Sequence, residues 1–269
     1  MQLSKPELDV GLTTPDVLAA TAFYRDVLGF EELPGLSMGE IGKMARLRAG
    51  DHILKLYDFS RPAERVEGGT DKANGMRLLA FIMDDFEALI ARLDAKGHKY
   101  DPLQLPESSP LRVAFSKDAD GNALELVGMK APASRGWKTR MQVGLTVADV
   151  QRSRHFYGAL LGLKEEPEMR LPASMGTVGN VRYGFQLGTT TIKFWSKGEL
   201  PTRTGAPARY TGIRLITAHV ADTDAVHEQL ASRDVPIKVP PHDFQGLSRV
   251  MFITDPDGNF IEFASPLRR

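Results

Sequence analysis

Segments in which apolar and polar residues alternate open both halves of the chain. Residues 8–13 and 141–147 carry apolar side chains at every second position, a pattern typical of β-strands with one buried face. Further short apolar segments predict strands at residues 44–47, 53–57, 78–83, 124–127, 182–187, 191–195, 213–220 and 261–263. The sequence therefore predicts a molecule rich in short strands.

Amphipathic helices are predicted directly after the two opening strands. In residues 17–28 and 150–161 the apolar side chains recur on one helical face, and each segment contains a Phe-Tyr pair that we expect in the core. An aspartate can cap each helix and a glycine can end it: Asp16 and Gly29 in the first, Asp149 and Gly162 in the second. Two further helices are predicted at residues 84–96 and 222–233.

The elements occur twice because the sequence itself is repeated. Phe23 and Phe156, which follow the same Val-Gly-Leu-Thr segment, are 133 positions apart. The motif Asp-x-Asp-Gly-Asn-x-x-Glu ends at Glu125 and again at Glu262, 137 positions apart. Each half reads as two βαβββ units, so we expect an α+β fold of four such units. The predicted domains are residues 5–130 and 139–267, joined by a linker at residues 131–138.

Composition and charge narrow the kind of partner. The formal net charge is zero and the basic residues are dispersed, so the sequence lacks the charged patch typical of nucleic-acid or membrane binding. No apolar run approaches the ~20 residues of a bilayer span, and the first residues lack a hydrophobic signal core, so we expect a cytoplasmic protein with a small-molecule partner. There is no cysteine, so any metal must bind through His, Asp, Glu or Gln.

The two repeated motifs, Asp…Phe-Tyr…Leu-Gly in the helix and Asp-x-Asp-Gly-Asn-x-x-Glu before the last strand, resemble the vicinal oxygen chelate superfamily. That family includes glyoxalase I, extradiol dioxygenases and bleomycin-resistance proteins, and the resemblance covers almost the whole chain. It implies two glyoxalase-like domains with open, cleft-forming mixed sheets. It does not choose among ring cleavage, isomerisation, transfer and sequestration, because one fold hosts all of them.

The resemblance also implies a metal at the floor of each cleft, held by the first and last strands of the units. The matching positions read Asp9, Lys55, Leu78 and Glu125 in the first half, and Gln142, Lys193, Leu215 and Glu262 in the second. Leucine and protonated lysine do not bind cations, so we expect an incomplete metal site in each half.

One histidine could still complete a metal site in the second half. His219 lies four residues beyond Leu215 and faces the same side of a regular strand, so Gln142, Glu262 and His219 form the candidate ligand set for Fe, Mn, Zn or Ni. The alternatives are that His219 is only a polar residue at a strand end and that the protein binds no cofactor.

The second half has the more polar inward-facing positions, and we expect the main pocket there. Glu262 and Lys193 are the candidate general acid–base pair, and a buried ion pair without a catalytic role is the alternative. The candidate substrate-binding residues are Gln142, Thr191, Trp195, Thr217, His219 and Phe260.

Two functions of different classes follow from this pattern. The first is an enzyme, a lyase, an isomerase or a dioxygenase-like catalyst, that acts on a small oxygenated metabolite such as an aromatic one in the C-terminal cleft. The second is a metal-free protein of the bleomycin-resistance type that binds or sequesters a small molecule against Trp195. Exposed sheet edges would also allow a homodimer.

Overall fold

The computed structural model describes residues 1–130 and 139–267. The predicted linker at residues 131–138 lies outside the described residues, so its boundaries stay a prediction.

The strands and helices follow the four predicted units. Unit 1 contains β1 Asp9–Thr13, α1 Val17–Ala22, β2 Glu31–Ser37, β3 Gly42–Ala49 and β4 His52–Phe59. Unit 2 contains β5 Gly75–Met83, α2 Phe86–Ala95, β6 Tyr100–Pro102, β7 Leu111–Lys117 and β8 Ala123–Met129. Unit 3 contains β9 Arg140–Thr146, α3 Val150–Arg154, β10 Lys164–Glu165, β11 Met169–Arg170, β12 Val181–Leu187 and β13 Thr190–Trp195. Unit 4 contains β14 Gly212–His219, α4 Thr223–Ala231, β15 Ile237–Phe244, β16 Ser248–Thr254 and β17 Phe260–Pro266.

The predicted helix caps are confirmed. The Asp16 side chain accepts hydrogen bonds from the first-turn amides of α1, and Asp149 does the same for α3. Both helices continue into a wider π-helical turn, Phe23–Val27 and His155–Leu160, so the Phe-Tyr pairs lie in π-type geometry. Among the described residues, no helix is long and apolar enough to cross a bilayer.

Within the described residues, the strands form two mixed sheets that each join distant parts of the chain. Sheet I has the order β15-β16-β17-β14-β1-β4-β3-β2, and sheet II has the order β10-β12-β13-β9-β5-β8-β7-β6 with β11 beside β12. Unit 1 therefore shares a sheet with unit 4, and unit 2 shares a sheet with unit 3. The grouping of site positions by sequence half was wrong, because each sheet takes one unit from each half.

The join between units is antiparallel in both sheets. In sheet I, Gly11 of β1 lies opposite Leu215 of β14. In sheet II, Gly144 of β9 lies opposite Leu78 of β5. The two sheets are thus built on the same register, with a glycine from an odd unit facing a leucine from an even unit.

The two faces of each sheet have different surroundings. Residues at alternate positions, such as Val10 and Leu12 in β1, pack with the helices into one large core, which also holds the aromatics of the helical turns as predicted. The residues between them, such as Asp9 and Gly11, point to the opposite face. We call these opposite, open faces cleft I in sheet I and cleft II in sheet II.

The repeated Asp-x-Asp-Gly-Asn motif forms the tight turn that the sequence predicts. Asp255 is buried, accepts hydrogen bonds from the backbone and side-chain amides of Asn259 at 2.8 Å, and receives the Tyr157 hydroxyl at 2.9 Å. The side-chain oxygen of Asn259 then accepts the backbone amide of Met76 at 3.0 Å. The turn therefore ties a helix of unit 3 to a strand of unit 2 through unit 4.

Candidate functional site

The floor of cleft I carries a polar network with members from both halves of the chain. The Lys55 ammonium on β4 donates to the Thr217 hydroxyl on β14 at 2.8 Å and lies 3.4 Å from the Glu262 carboxylate on β17. Thr217 donates in turn to Glu262 at 2.5 Å. The Lys55 and Glu262 side chains are 14% and 13% exposed, so this ion pair is largely shielded from water.

Asp9 and His219 form a second contact next to this network. The distance from His219 Nε2 to Asp9 Oδ2 is 2.7 Å. A carboxylate can only accept, so Nε2 carries the hydrogen and a neutral ring keeps a lone pair on Nδ1. The Asp9 side chain is 4% exposed and that of His219 is 32% exposed, so a buried carboxylate orients an accessible imidazole.

The surroundings set the charge of the groups on this floor. Burial alone would raise the pKa of Asp9, but the hydrogen bond with His219 and the charges of two neighbouring lysines hold it well below its usual value. Burial also opposes the charge of Lys55, yet the nearby Glu262 carboxylate helps raise the pKa of its ammonium above the usual value. At neutral pH Asp9 is an anion and Lys55 is a cation.

An apolar cluster forms the wall of cleft I beside the polar floor. Its members are Met38, Tyr57, Leu215 and Phe260, with Met44, Phe59 and Phe252 packed against them. The rings of Tyr57 and Phe59 stack at 5.4 Å between centroids, and burial raises the pKa of Tyr57 to about 12. A cavity of about 310 Å³ opens at Phe59, lined also by Glu40, Ile41, Ser60, Arg61 and Ala208. Cleft I thus combines an apolar wall with a charged floor, and the cavity is lined by none of the floor residues named above.

Cleft II repeats this floor with different neighbours. Lys193 on β13 forms an ion pair with Glu125 on β8. Gln142 lies on β9 opposite Ala80, and its register partner Thr191 on β13 donates to Glu166 at 2.8 Å. The indole ring of Trp195 reaches across Gly144, as the ring of Tyr57 does across Gly11 in cleft I.

The predicted site residues are divided between the two clefts. Gln142, Thr191, Lys193 and Trp195 lie in cleft II, whereas Thr217, His219, Phe260 and Glu262 lie in cleft I. The candidate pair of Glu262 and Lys193 was wrong as a pair, because each residue has its ionic partner in the other half of the sequence. The partners are Lys55 for Glu262 and Glu125 for Lys193.

Sequence reasoning placed Asp9 only at a metal position of the first half, and it missed the contact with His219, which is 210 positions away. It also missed a loop that the sequence repeats, Ser37-Met38-Gly39 and Ser174-Met175-Gly176, again at an offset of 137. Met38 of this loop is buried in the apolar cluster of cleft I. This shorter repeat was the available signal for residues that cover the clefts.

Comparison with known proteins supports the repeat within the sequence. The family model described as the Glyoxalase/Bleomycin resistance protein/Dioxygenase superfamily matches residues 8–126 and again residues 141–263. The chain belongs to this superfamily. The two matches confirm the predicted family and the tandem arrangement of two glyoxalase-like regions in one α+β fold.

Relatives within the superfamily match either one half of the chain or nearly all of it. The uncharacterized protein YaeR of Escherichia coli is 30% identical over 124 residues, which cover 44% of this chain and 91% of YaeR. The uncharacterized protein YwkD of Bacillus subtilis is 28% identical over 119 residues, with the same two coverages. The crystal structure of glyoxalase I from Zea mays has a TM-score of 0.69 at 19% identity, covering 96% of this chain and 91% of that one, a likeness that shows the fold alone.

Members of the glyoxalase superfamily often use a divalent metal, and the residues at the matching positions of this chain do not fit one. In each cleft a leucine, Leu215 or Leu78, takes one ligand position, and a lysine ammonium, Lys55 or Lys193, takes another. Apolar and cationic side chains are not ligands for a divalent cation. Among the described residues, no group of three or more His, Asp or Glu side chains is arranged to hold a metal.

The candidate metal set of Gln142, Glu262 and His219 is therefore corrected. Gln142 is on sheet II, whereas Glu262 and His219 are on sheet I, so the three side chains do not converge. Within sheet I, Glu262 bonds to Thr217 and Lys55, and His219 bonds to Asp9. The alternation of side chains along each strand was predicted correctly. The prediction grouped unit 4 with unit 3, however, whereas unit 4 shares its sheet with unit 1.

Proposed function

We propose that this protein is an enzyme that moves a proton on a small oxygenated metabolite bound in cleft I, as an isomerase or a lyase. The observation that carries the proposal is the 2.7 Å contact between buried Asp9 and accessible His219, next to the shielded Lys55–Glu262 pair. A carboxylate behind an imidazole is the arrangement of a general base, and a fixed cation beside it can stabilise an oxyanion.

The residues of the floor divide the work of such a reaction. His219 Nδ1 takes the proton from a carbon next to a carbonyl group, and the negative charge of Asp9 stabilises the imidazolium that forms. The ammonium of Lys55 stabilises the enolate oxygen because its raised pKa keeps it protonated. The imidazolium then returns the proton to a neighbouring carbon in an isomerase, or gives it to the leaving group as the enolate expels that group in a lyase.

The wall of cleft I suggests the size and nature of the substrate. The cavity of about 310 Å³ that Phe59 lines is at the small end of the range for ligand sites, and the Phe59 ring stacks on Tyr57 of the apolar wall. We expect a compact molecule with a carbonyl group at one end and an apolar or aromatic body at the other. Small metabolites of this kind occur in the cytoplasm, which is the location that we expect for this protein.

The test is proton exchange rather than a complete turnover. Purified protein is treated with EDTA and incubated in D₂O with phenylpyruvate, phenylacetaldehyde and hydroxyacetone, and ¹H NMR follows loss of the signal from the carbon next to the carbonyl. We expect catalysed exchange with at least one compound. His219→Gln should slow it by about 10²–10⁴-fold, the usual contribution of a general base.

His155 provides a matched control for this variant. It is an exposed histidine in the π-helical turn of unit 3, which packs on the core side of the sheets and not in a cleft, so His155→Gln should leave exchange unchanged. Exchange that stops with EDTA and returns with added metal would contradict the proposal. Exchange that is equal in His219→Gln and the unchanged protein would also contradict it.

A binding protein is the second candidate, and the packing of the aromatic wall favours it. Tyr57 and Phe59 already stack on each other, which is a surface suited to a further ring. Saturable binding of an aromatic carbonyl compound, with no exchange at any of the three compounds, would support sequestration over catalysis.

A further inference from the structure

The repeated loop covers the two clefts differently. In cleft I, Met38 of the Ser-Met-Gly loop is buried against the apolar cluster. In cleft II the equivalent Met175 is only half-buried, and Thr177, two residues later, is buried instead. The loop therefore presents a thioether to cleft I and a hydroxyl to cleft II.

Three buried polar atoms at this end of cleft II have no hydrogen-bond partner among the described residues. They are Trp195 Nε1, Arg182 Nε and Thr177 Oγ1. Only two other buried side-chain atoms in the described part of the chain share this condition, Asn74 Oδ1 just before β5 and Ser153 Oγ on α3. Buried polar atoms are nearly always paired, so a cluster of three indicates a missing partner.

The fold brings these three side chains to one corner. Tyr183 pairs with Phe194 across β12 and β13, so the next residue on each strand, Arg182 and Trp195, are cross-strand neighbours on the open face. The loop joins them because the Val178 amide donates to the Ser196 carbonyl at 2.8 Å, which places Thr177 beside the end of β13.

The two cationic side chains on the open face of β12 and β13 already have carboxylate partners. Arg182 Nη1 lies 3.3 Å from Glu166, and Lys193 is paired with Glu125, while Lys197 beyond the end of β13 donates to the Met175 carbonyl. An anionic ligand would therefore add an uncompensated charge to a buried place. The unpartnered atoms are an N–H of Arg182, an N–H of Trp195 and a hydroxyl, which together suit an acceptor that carries no net charge.

We propose that this corner of cleft II binds the carbonyl oxygen of an uncharged, planar organic molecule, separately from the reaction proposed for cleft I. The Trp195 ring, which lies over Gly144 as Leu78 also does, supplies the apolar surface for the rest of the ligand. The oxygen accepts from the indole and guanidinium N–H groups, and Thr177 donates the third hydrogen bond.

The indole N–H signal of Trp195 reports directly on this site. The chain has two tryptophans, so a ¹H–¹⁵N spectrum of the labelled protein has two indole signals, and Trp137→Phe identifies that of Trp195. We expect acetophenone to shift the Trp195 signal downfield and saturably in the range up to about 10 mM, the affinity typical of a nine-atom fragment. Toluene, which lacks the acceptor, and benzoate, which carries a charge, should shift it far less.

Thr177→Val separates a binding role from a structural one. Removal of an unpaired buried hydroxyl should raise the melting temperature of the free protein by about 2 °C, because an unsatisfied group is lost. The same change should weaken acetophenone binding about fivefold, the value of one hydrogen bond. Thr189→Val is the control, since that hydroxyl is exposed and makes only long contacts of 3.4 Å with the Pro6 carbonyl and 3.3 Å with Glu7, and it should change neither quantity.

Every outcome decides the proposal. A saturable shift with acetophenone that weakens in Thr177→Val supports it, and the shift should persist in His219→Gln, where the cleft I reaction is lost. No saturable shift, a stronger response to benzoate, or an equal response to toluene overturns it and leaves the proposal for cleft I untouched.

Discussion

At the scale of single residues, two glycines decide how the cleft floors are filled. A Cβ atom at Gly144 would lie 2.8 Å from both Leu78 Cβ and Trp195 Cη2, and one at Gly11 would lie 2.6 Å from Tyr57 Cε2. These distances are shorter than van der Waals contact, so an aromatic ring can cross the strand only at a position occupied by glycine.

The change Gly144→Ala should destabilise the protein by about 1–3 kcal/mol through this overpacking, although alanine is normally preferred to glycine in a strand. Urea unfolding measures the loss. Combining it with Trp195→Phe should cost less than the sum of the two single changes, because the smaller ring lacks the Cη2 atom that the new methyl group would meet. Additive costs would show that the ring does not pack as described.

Asp9 makes the stability of the folded protein depend on pH. Its pKa is held below its usual value of 3.8, so the ionised form stabilises the folded state. That contribution is complete above about pH 5 and declines as the pH falls below 3.8, because the unfolded chain then takes up a proton that the folded protein binds only at a lower pH. Stability should therefore fall in acid partly through this residue.

Asp9→Asn should lower the free energy of unfolding by about 3 kcal/mol at pH 7, since it leaves a buried charge network without its anion. Urea titrations from pH 7 to pH 3 should show the difference from the unchanged protein shrinking in acid. Asp101→Asn, at an exposed position, should stay within about 0.5 kcal/mol throughout. A difference for Asp9→Asn that grows towards pH 3 would contradict the described contacts.

At the scale of elements, the strands, helices and caps follow from local pattern, and most were predictable. The period of two in β1 and β9 and the capping aspartates Asp16 and Asp149 are local signals, and the structure confirms them. The buried Asp255 turn depends on the Tyr157 hydroxyl, which is 98 positions away in the sequence. No local pattern reveals this contact.

Tyr157→Phe tests this link between turn and helix. Loss of the hydroxyl removes one donor from a buried carboxylate and should cost about 1–3 kcal/mol in urea unfolding. Tyr24→Phe should behave alike, because Tyr24 donates to Asp118 at 2.7 Å in the other half. Tyr100→Phe, whose hydroxyl is exposed and 3.5 Å from Asp94, should cost less than about 0.5 kcal/mol. Equal losses in all three variants would contradict the role of the turn.

At the scale of the whole molecule, the sequence predicts the four units but not their partners. Sheets that join unit 1 to unit 2 or unit 1 to unit 4 would bury the same alternating residues, so periodicity does not distinguish them. The choice decides which lysine meets which glutamate, and therefore which residues share a site. The positions of Leu78, Leu215 and the two lysines were readable from the family motif, whereas the contact of Asp9 with His219 depends on the join itself.

Double-mutant cycles between the floor lysines and glutamates measure which units share a cleft. The variants are Lys55→Met, Lys193→Met, Glu125→Gln and Glu262→Gln, alone and in pairs, with stability measured by urea unfolding. We expect coupling of about 0.5–3 kcal/mol for Lys55 with Glu262 and for Lys193 with Glu125, and additivity for Lys193 with Glu262. Coupling between Lys193 and Glu262, with none between Lys55 and Glu262, would contradict clefts built from both halves of the chain.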